Sequence, residues 1–151
     1  MNGKSVFNMA LGAGFLCIAF LAAGCARSNS QDGIVNIGER VFIGQVNDIY
    51  QNAERYLGRT IKLEGIFTRE QWDGQTLHFV IRNGPGCCGD DGKVGFEVRW
   101  ADGQRQYPAH DSWVEAVGTL QSYRSDGSAF LYLDLSSLSV LNRRGRESVW
   151  Q

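Results

Sequence analysis

An all-β fold, a small five-stranded barrel with one N-terminal α-helix, is what three features of this sequence predict. After residue 60 apolar residues recur with a period of two, Asp-Gly pairs cut that stretch into short runs, and only one segment before it carries a helical stripe. With 19 glycines and 2 prolines in 151 residues, tight turns are plentiful.

The elements follow in chain order. Residues 1–24 hold one charge, Lys4, and an apolar run from Met9 to Ala23 broken by Gly12 and Gly14. That run is shorter than the roughly 20 residues that span a bilayer, so it reads as a signal peptide. Residues 25–33, rich in Ser, Asn, Gln and Asp, read as a flexible tether. The folded domain is expected over 34–142. Between Val41 and Ala53 the residues Phe42, Ile43, Val46, Ile49, Tyr50 and Ala53 form one stripe, predicting an amphipathic helix, and Gly58 suits its left-handed exit. From Thr60 to Thr68 the alternation of Ile61, Leu63, Gly65 and Phe67 with Lys62, Glu64 and Ile66 predicts a half-buried strand.

Asp73-Gly74, Asp91-Gly92, Asp102-Gly103 and Asp126-Gly127 then mark turns. They bracket four further strands, at 75–82, 93–100, 112–122 and 129–140. Five strands and one helix cannot cover both faces of an open sheet. The economical solution is a closed or partly open barrel plugged by the helix, an OB-fold-like barrel, with Gly65 and Gly118 at bends. Residues 143–151, with Arg143, Arg144 and Arg146, are expected to form a frayed basic tail.

Composition narrows function. An apolar content of 43% with 21% charged residues is that of a globular protein, and the formal net charge is -1. Nucleic-acid binding draws on Lys and Arg meeting phosphates, so no nucleic-acid partner is expected. No nucleophile elbow, phosphate loop or HExxH element appears, and the carboxylates are scattered, so the chain is not expected to be an enzyme.

Four cysteines occupy three settings: Cys17 in the apolar run, Cys25 at its end, and the neighbours Cys87 and Cys88. The segment 83–92 is rich in glycine and brings two thiols together with Asp90 and Asp91, donors suited to a borderline ion such as Zn(II). Cys87, Cys88 and Asp91 are therefore the candidate metal ligands, with His78 and His110 as further donors if the fold brings them close. Adjacent cysteines chelate one tetrahedral ion awkwardly, and a vicinal disulfide between Cys87 and Cys88 is the alternative, with a redox role. Trp72, Trp100, Trp113, Tyr107 and Tyr123 offer a stacking face for glycans or envelope polymers, although aromatic residues of small barrels more often form core.

Two resemblances rest on these residues. Leu21-Ala22-Ala23-Gly24-Cys25 resembles the lipobox of bacterial lipoproteins, with the favoured Leu one place early. It implies acylation of Cys25, attachment to a membrane through lipid, and an extracytoplasmic envelope location, at the outer membrane in a two-membrane bacterium because Ala26 is not an acidic retention signal. The runs Tyr56-Leu57-Gly58-Arg59-Thr60-Ile61-Lys62-Leu63-Glu64-Gly65, Cys87-Cys88 with Asp91, and Trp113-Val114-Glu115-Ala116-Val117-Gly118-Thr119-Leu120 resemble an uncharacterised C-terminal domain of bacterial membrane proteins paired with predicted permeases. That resemblance covers about residues 36–140 and implies an OB-like barrel, a metal connection, and a permease or envelope protein as partner.

Overall fold

The computed structural model describes residues 33–84, 92–103 and 105–149. In chain order they form β1 (Val35–Asn36), α1 (Phe42–Gln51), β2 (Thr60–Trp72), β3 (Gln75–Gly84), β4 (Gly92–Arg99), β5 (Trp113–Ser125) and β6 (Ser128–Val140). Single 3-10 turns flank the helix at Glu39–Val41 and Ala53–Arg55.

The strands are hydrogen-bonded in the order β1-β2-β3-β4-β6-β5, and β2 pairs again with β5, which closes the barrel. All barrel pairings are antiparallel except β4 with β6, which are parallel. This is the five-strand connectivity of an OB barrel, with β1 added as a short parallel strand beside β2. The usual helix between the third and fourth barrel strands is replaced by α1, which comes before the barrel. Among the described residues no helix is long and apolar enough to cross a membrane.

Alternation explains the core. Ile61, Leu63 and Phe67 of β2, Val80 of β3, Phe96 and Val98 of β4, Val114, Ala116 and Leu120 of β5, and Leu131, Leu133 and Leu135 of β6 meet in one cluster. Phe42, Val46 and Ile49, the buried stripe of α1, join it and plug one end. Each such side chain contributes about 1.5–3 kcal/mol by leaving water. Tyr50 ties the plug to the wall: its hydroxyl donates to Gly95 O at 3.1 Å and its ring stacks on Phe96. A second, smaller cluster of Ile66, Ile81 and Trp113 lies outside the main core, with Phe79 and Leu141 against it.

The turns form as their sequences require. Asp73 and Gly74 both have positive φ (45° and 75°), as do Asp126 and Gly127 (49° and 79°), the two-residue hairpin geometry that matches strand twist. At the bends the glycines are needed for close approach. A Cβ on Gly65 would stand 2.5 Å from Ile81 O, and one on Gly118 2.7 Å from Asp134 O, beside the register shift between Val117 and Gly118.

Two differences from the sequence reading concern extent. β2 runs four residues beyond Thr68, to Trp72, because its far half pairs with β3 instead of β5. The tail expected to fray is docked as far as Val149. Asn83 N donates to Glu147 O and Val149 N to Asn83 O, each at 2.8 Å, and Val149 is buried in the main core. Arg144 bonds Asp111 (2.7 Å) and Glu147 (2.5 Å), and Arg146 pairs with Glu39 (3.4 Å), so these two basic residues are held by carboxylates.

Candidate functional site

Cys25, Cys87, Cys88 and Asp91 lie outside the described residues, but the stem that carries the last three is described. β3 ends at Gly84 and β4 begins at Gly92, and these two residues are register partners. The docked tail holds Asn83, one residue inside the stem, and a Cβ on Gly84 would meet Ile43 of α1 at 3.5 Å. The stem is thus tied to the tail at Asn83 and lies close to α1 at Gly84.

The histidines are engaged elsewhere. His78, six residues before Gly84 on β3 and so about 20 Å of extended strand from it, stacks on Tyr107 at 3.7 Å and on Phe67 at 5.7 Å. Burial, and secondarily the Arg69 charge, hold its imidazole below the usual histidine range. His110 Nδ1 accepts the Arg69 backbone N–H at 3.3 Å. Among the described residues no group of three or more His, Cys, Asp or Glu is placed to hold a metal ion.

The five aromatic residues read as a stacking face part company. Trp113 is core, Trp100 and Tyr107 pack against the main cluster, and Trp72 is 71% exposed beside the β2–β3 turn. Tyr123 alone joins a built polar cluster, on the face of β4, β5 and β6 turned away from the core.

That cluster starts from alternation in β4. Phe96 and Val98 point into the barrel, so Glu97 and Arg99 share the other face. Parallel pairing sets Glu97 beside Tyr132, and the β5–β6 hairpin sets Tyr123 beside Phe130. Glu97 is only 5% exposed, yet both oxygens are satisfied: Oε1 accepts Arg99 Nε at 2.5 Å and Oε2 accepts the Tyr123 hydroxyl at 2.9 Å. The Arg99 guanidinium rests in the corner of two rings that meet edge to face at 5.9 Å, 4.1 Å from the Tyr123 centroid and 4.7 Å from that of Tyr132. Burial, and then its bond to Glu97, raise the Tyr123 hydroxyl above the usual tyrosine range, which keeps it a donor. Phe130 stacks on Tyr123 at 5.4 Å and is 45% exposed.

Sequence reading reached Tyr123 but not Glu97, Arg99, Phe130 or Tyr132. A signal was present, in charged residues two apart on a strand whose intervening positions are apolar, and in an aromatic pair two apart beside an Asp-Gly turn. What joined them was the parallel β4–β6 pairing, which no local pattern encodes.

Comparison with known proteins gives three findings. A family model described as the DUF1980 C-terminal domain matches residues 22–143. No curated protein matches. Among solved structures, the dimeric N-terminal domain of PriB protein from Thermoanaerobacter tencongensis is similar at 21% identity and a TM-score of 0.33, over 56% of this chain and 97% of that one. A likeness of that size bears on neither ligand nor assembly.

Proposed function

As a premise, this chain belongs to the DUF1980 C-terminal domain family, and from it we propose an extracytoplasmic binding module. In this reading Cys25 carries the lipid that fastens the barrel to an envelope membrane. The 85–91 segment presents Cys87, Cys88 and Asp91 to Zn(II), and the partner served is a permease or another envelope protein.

One observation carries the reading: the register pairing of Gly84 with Gly92, reinforced at Asn83 by the docked tail. Seven residues, among them the candidate ligands Cys87, Cys88 and Asp91, begin and end on neighbouring fixed strand ends. Closing a ligand set on a stem that is already ordered lowers the entropy lost on binding. The donor set suits the ion in kind, since thiolates and a carboxylate are ordinary zinc ligands. A zinc ion taking four ligands would complete the set with a further donor, such as water or a group supplied by the partner.

Equilibrium dialysis of the reduced full chain against Zn(II) tests the metal. One equivalent retained by the wild type and none by the Cys87→Ser, Cys88→Ser double variant is the expected result. Equal retention by both removes the site. A mass lower by two daltons in the unreduced chain, with no ion retained, replaces it with a redox-active vicinal disulfide. Incorporation of labelled fatty acid, lost in Cys25→Ser, tests the anchor.

A further inference from the structure

We infer that the Glu97, Arg99, Tyr123 and Tyr132 cluster, with Phe130 at its edge, is a binding site for an uncharged saccharide, separate from the thiol segment.

The site is built before any ligand arrives. Glu97 sits in the floor at 5% exposure with both oxygens bonded, and it fixes Arg99 through Nε. Two tyrosine rings, themselves edge to face at 5.9 Å, form a corner in which the guanidinium rests against both. The side chain of Arg99 nonetheless stays 38% exposed, and apart from the Tyr123 hydroxyl beside it, among the described residues no carboxylate or carbonyl bonds its Nη atoms. A guanidinium held flat, with its outer N–H edge open, is a pair of parallel donors looking for two neighbouring acceptor oxygens.

Charge selects among ligands offering such oxygens. Carboxylates and phosphates would fit the fork, but the buried Glu97 neutralises Arg99 at close range and the whole chain carries a net charge of -1. No surplus of positive charge remains to displace counterions from a polyanion. Neighbouring hydroxyls of a sugar ring present the same two-oxygen spacing with no charge to compensate.

Ring geometry supports the same choice. Phe130 and Tyr123 are stacked at 5.4 Å with planes 24° apart, and Phe130 is 45% exposed, which gives the C–H face of a pyranose an aromatic platform beside the donors. Position agrees as well. β4 is the third barrel strand, and Tyr123 and Phe130 flank the last hairpin, the part of OB barrels that takes oligosaccharides and oligonucleotides. Charge then decides for the former.

The test is a heteronuclear NMR titration of the full chain with chitotetraose, maltotetraose and cellotetraose at millimolar concentration, with an oligothymidylate as comparator. At least one saccharide is expected to shift the Arg99 side-chain and Tyr132 ring resonances. Arg99→Lys, which keeps the charge and loses the planar fork, should weaken that saccharide about tenfold or more while the melting curve holds. The Cys87→Ser, Cys88→Ser variant should bind it as the wild type does, so that this site and the zinc site fail independently. The inference is overturned if no saccharide binds, if Arg99→Lys binds as tightly as the wild type, or if the oligothymidylate is the ligand taken up at this face.

Discussion

Two arginines of this barrel each rest against a pair of aromatic rings, and they are put to opposite uses. Arg82 of β3 lies 4.9 Å from the ring centroids of both Phe42 and Trp113 and is 2% exposed. Its Nε donates to Glu64 O at 2.9 Å, and its Nη1 donates to Arg146 O at 3.1 Å and Glu39 Oε2 at 3.3 Å. It thereby joins the turn before α1, the wall of the barrel and the C-terminal tail. Arg99, resting against Tyr123 and Tyr132, bonds one carboxylate and keeps a side chain that is 38% exposed. Contact with two aromatic rings orients a guanidinium in both places. Whether the oriented group is a clasp or a receptor depends on how many of its donors the chain itself consumes.

Replacement of Arg82 breaks this contrast most severely. Arg82→Ala leaves a void between two rings and strips two backbone carbonyls of a charged donor, so a loss of about 3–5 kcal/mol is expected in urea unfolding. Arg82→Met, which refills the volume without the donors, should recover part of that loss. A change under about 1 kcal/mol in Arg82→Ala would show that the clasp is ornamental.

The corresponding change at Arg99 should cost less. Arg99→Ala removes a half-exposed cation but leaves the buried Glu97 carboxylate with only the Tyr123 hydroxyl, so a loss of about 1–3 kcal/mol is expected. A loss as large as that at Arg82 would make the outer cluster a structural staple and erase the distinction.

Acid sharpens the comparison with a smaller effect. Glu39, the carboxylate partner of Arg82, is held below the usual range, first by the Arg146 backbone N–H and then by the Arg82 hydrogen bond and charge. Asp111 is held low likewise, first by its Arg144 hydrogen bond. Both folded-state pKa values are depressed. The stabilisation they supply is therefore complete above the unfolded carboxyl range near pH 4 and is lost as pH falls through the folded values. Melting followed from pH 6 to pH 2 should decline through that window, and Glu39→Gln should flatten part of the decline. An unchanged profile in Glu39→Gln would separate the clasp from its carboxylate.

Much of the wall was legible in the sequence, because a strand with one buried face must alternate and a two-residue hairpin must place its Asp-Gly pair at positive φ. The stripe of Phe42, Val46 and Ile49 announced the plug for the same reason, at a helical period. Contacts between elements distant in sequence were not legible. Periodicity assigns a residue to a face without naming its neighbour there, so nothing in β4 pointed to Tyr132, and nothing in the run from Arg143 to Val149 pointed to Asn83. Gly95 makes the same point: a Cβ there would lie 2.1 Å from Val80 O, a constraint set wholly by the adjacent strand. The thiol pair stood out by composition, yet its ligands depend on geometry that composition does not carry.

The docking of Val149 beside Asn83 has a practical consequence for anyone handling this protein. An affinity tag fused after Gln151 would hang from the segment bonded to Asn83 at the end of β3, and trimming of the last few residues by a carboxypeptidase would loosen that attachment. Preparations that differ only at the carboxyl end can thus differ at the strand ends on which the thiol segment is mounted, while their barrels remain alike.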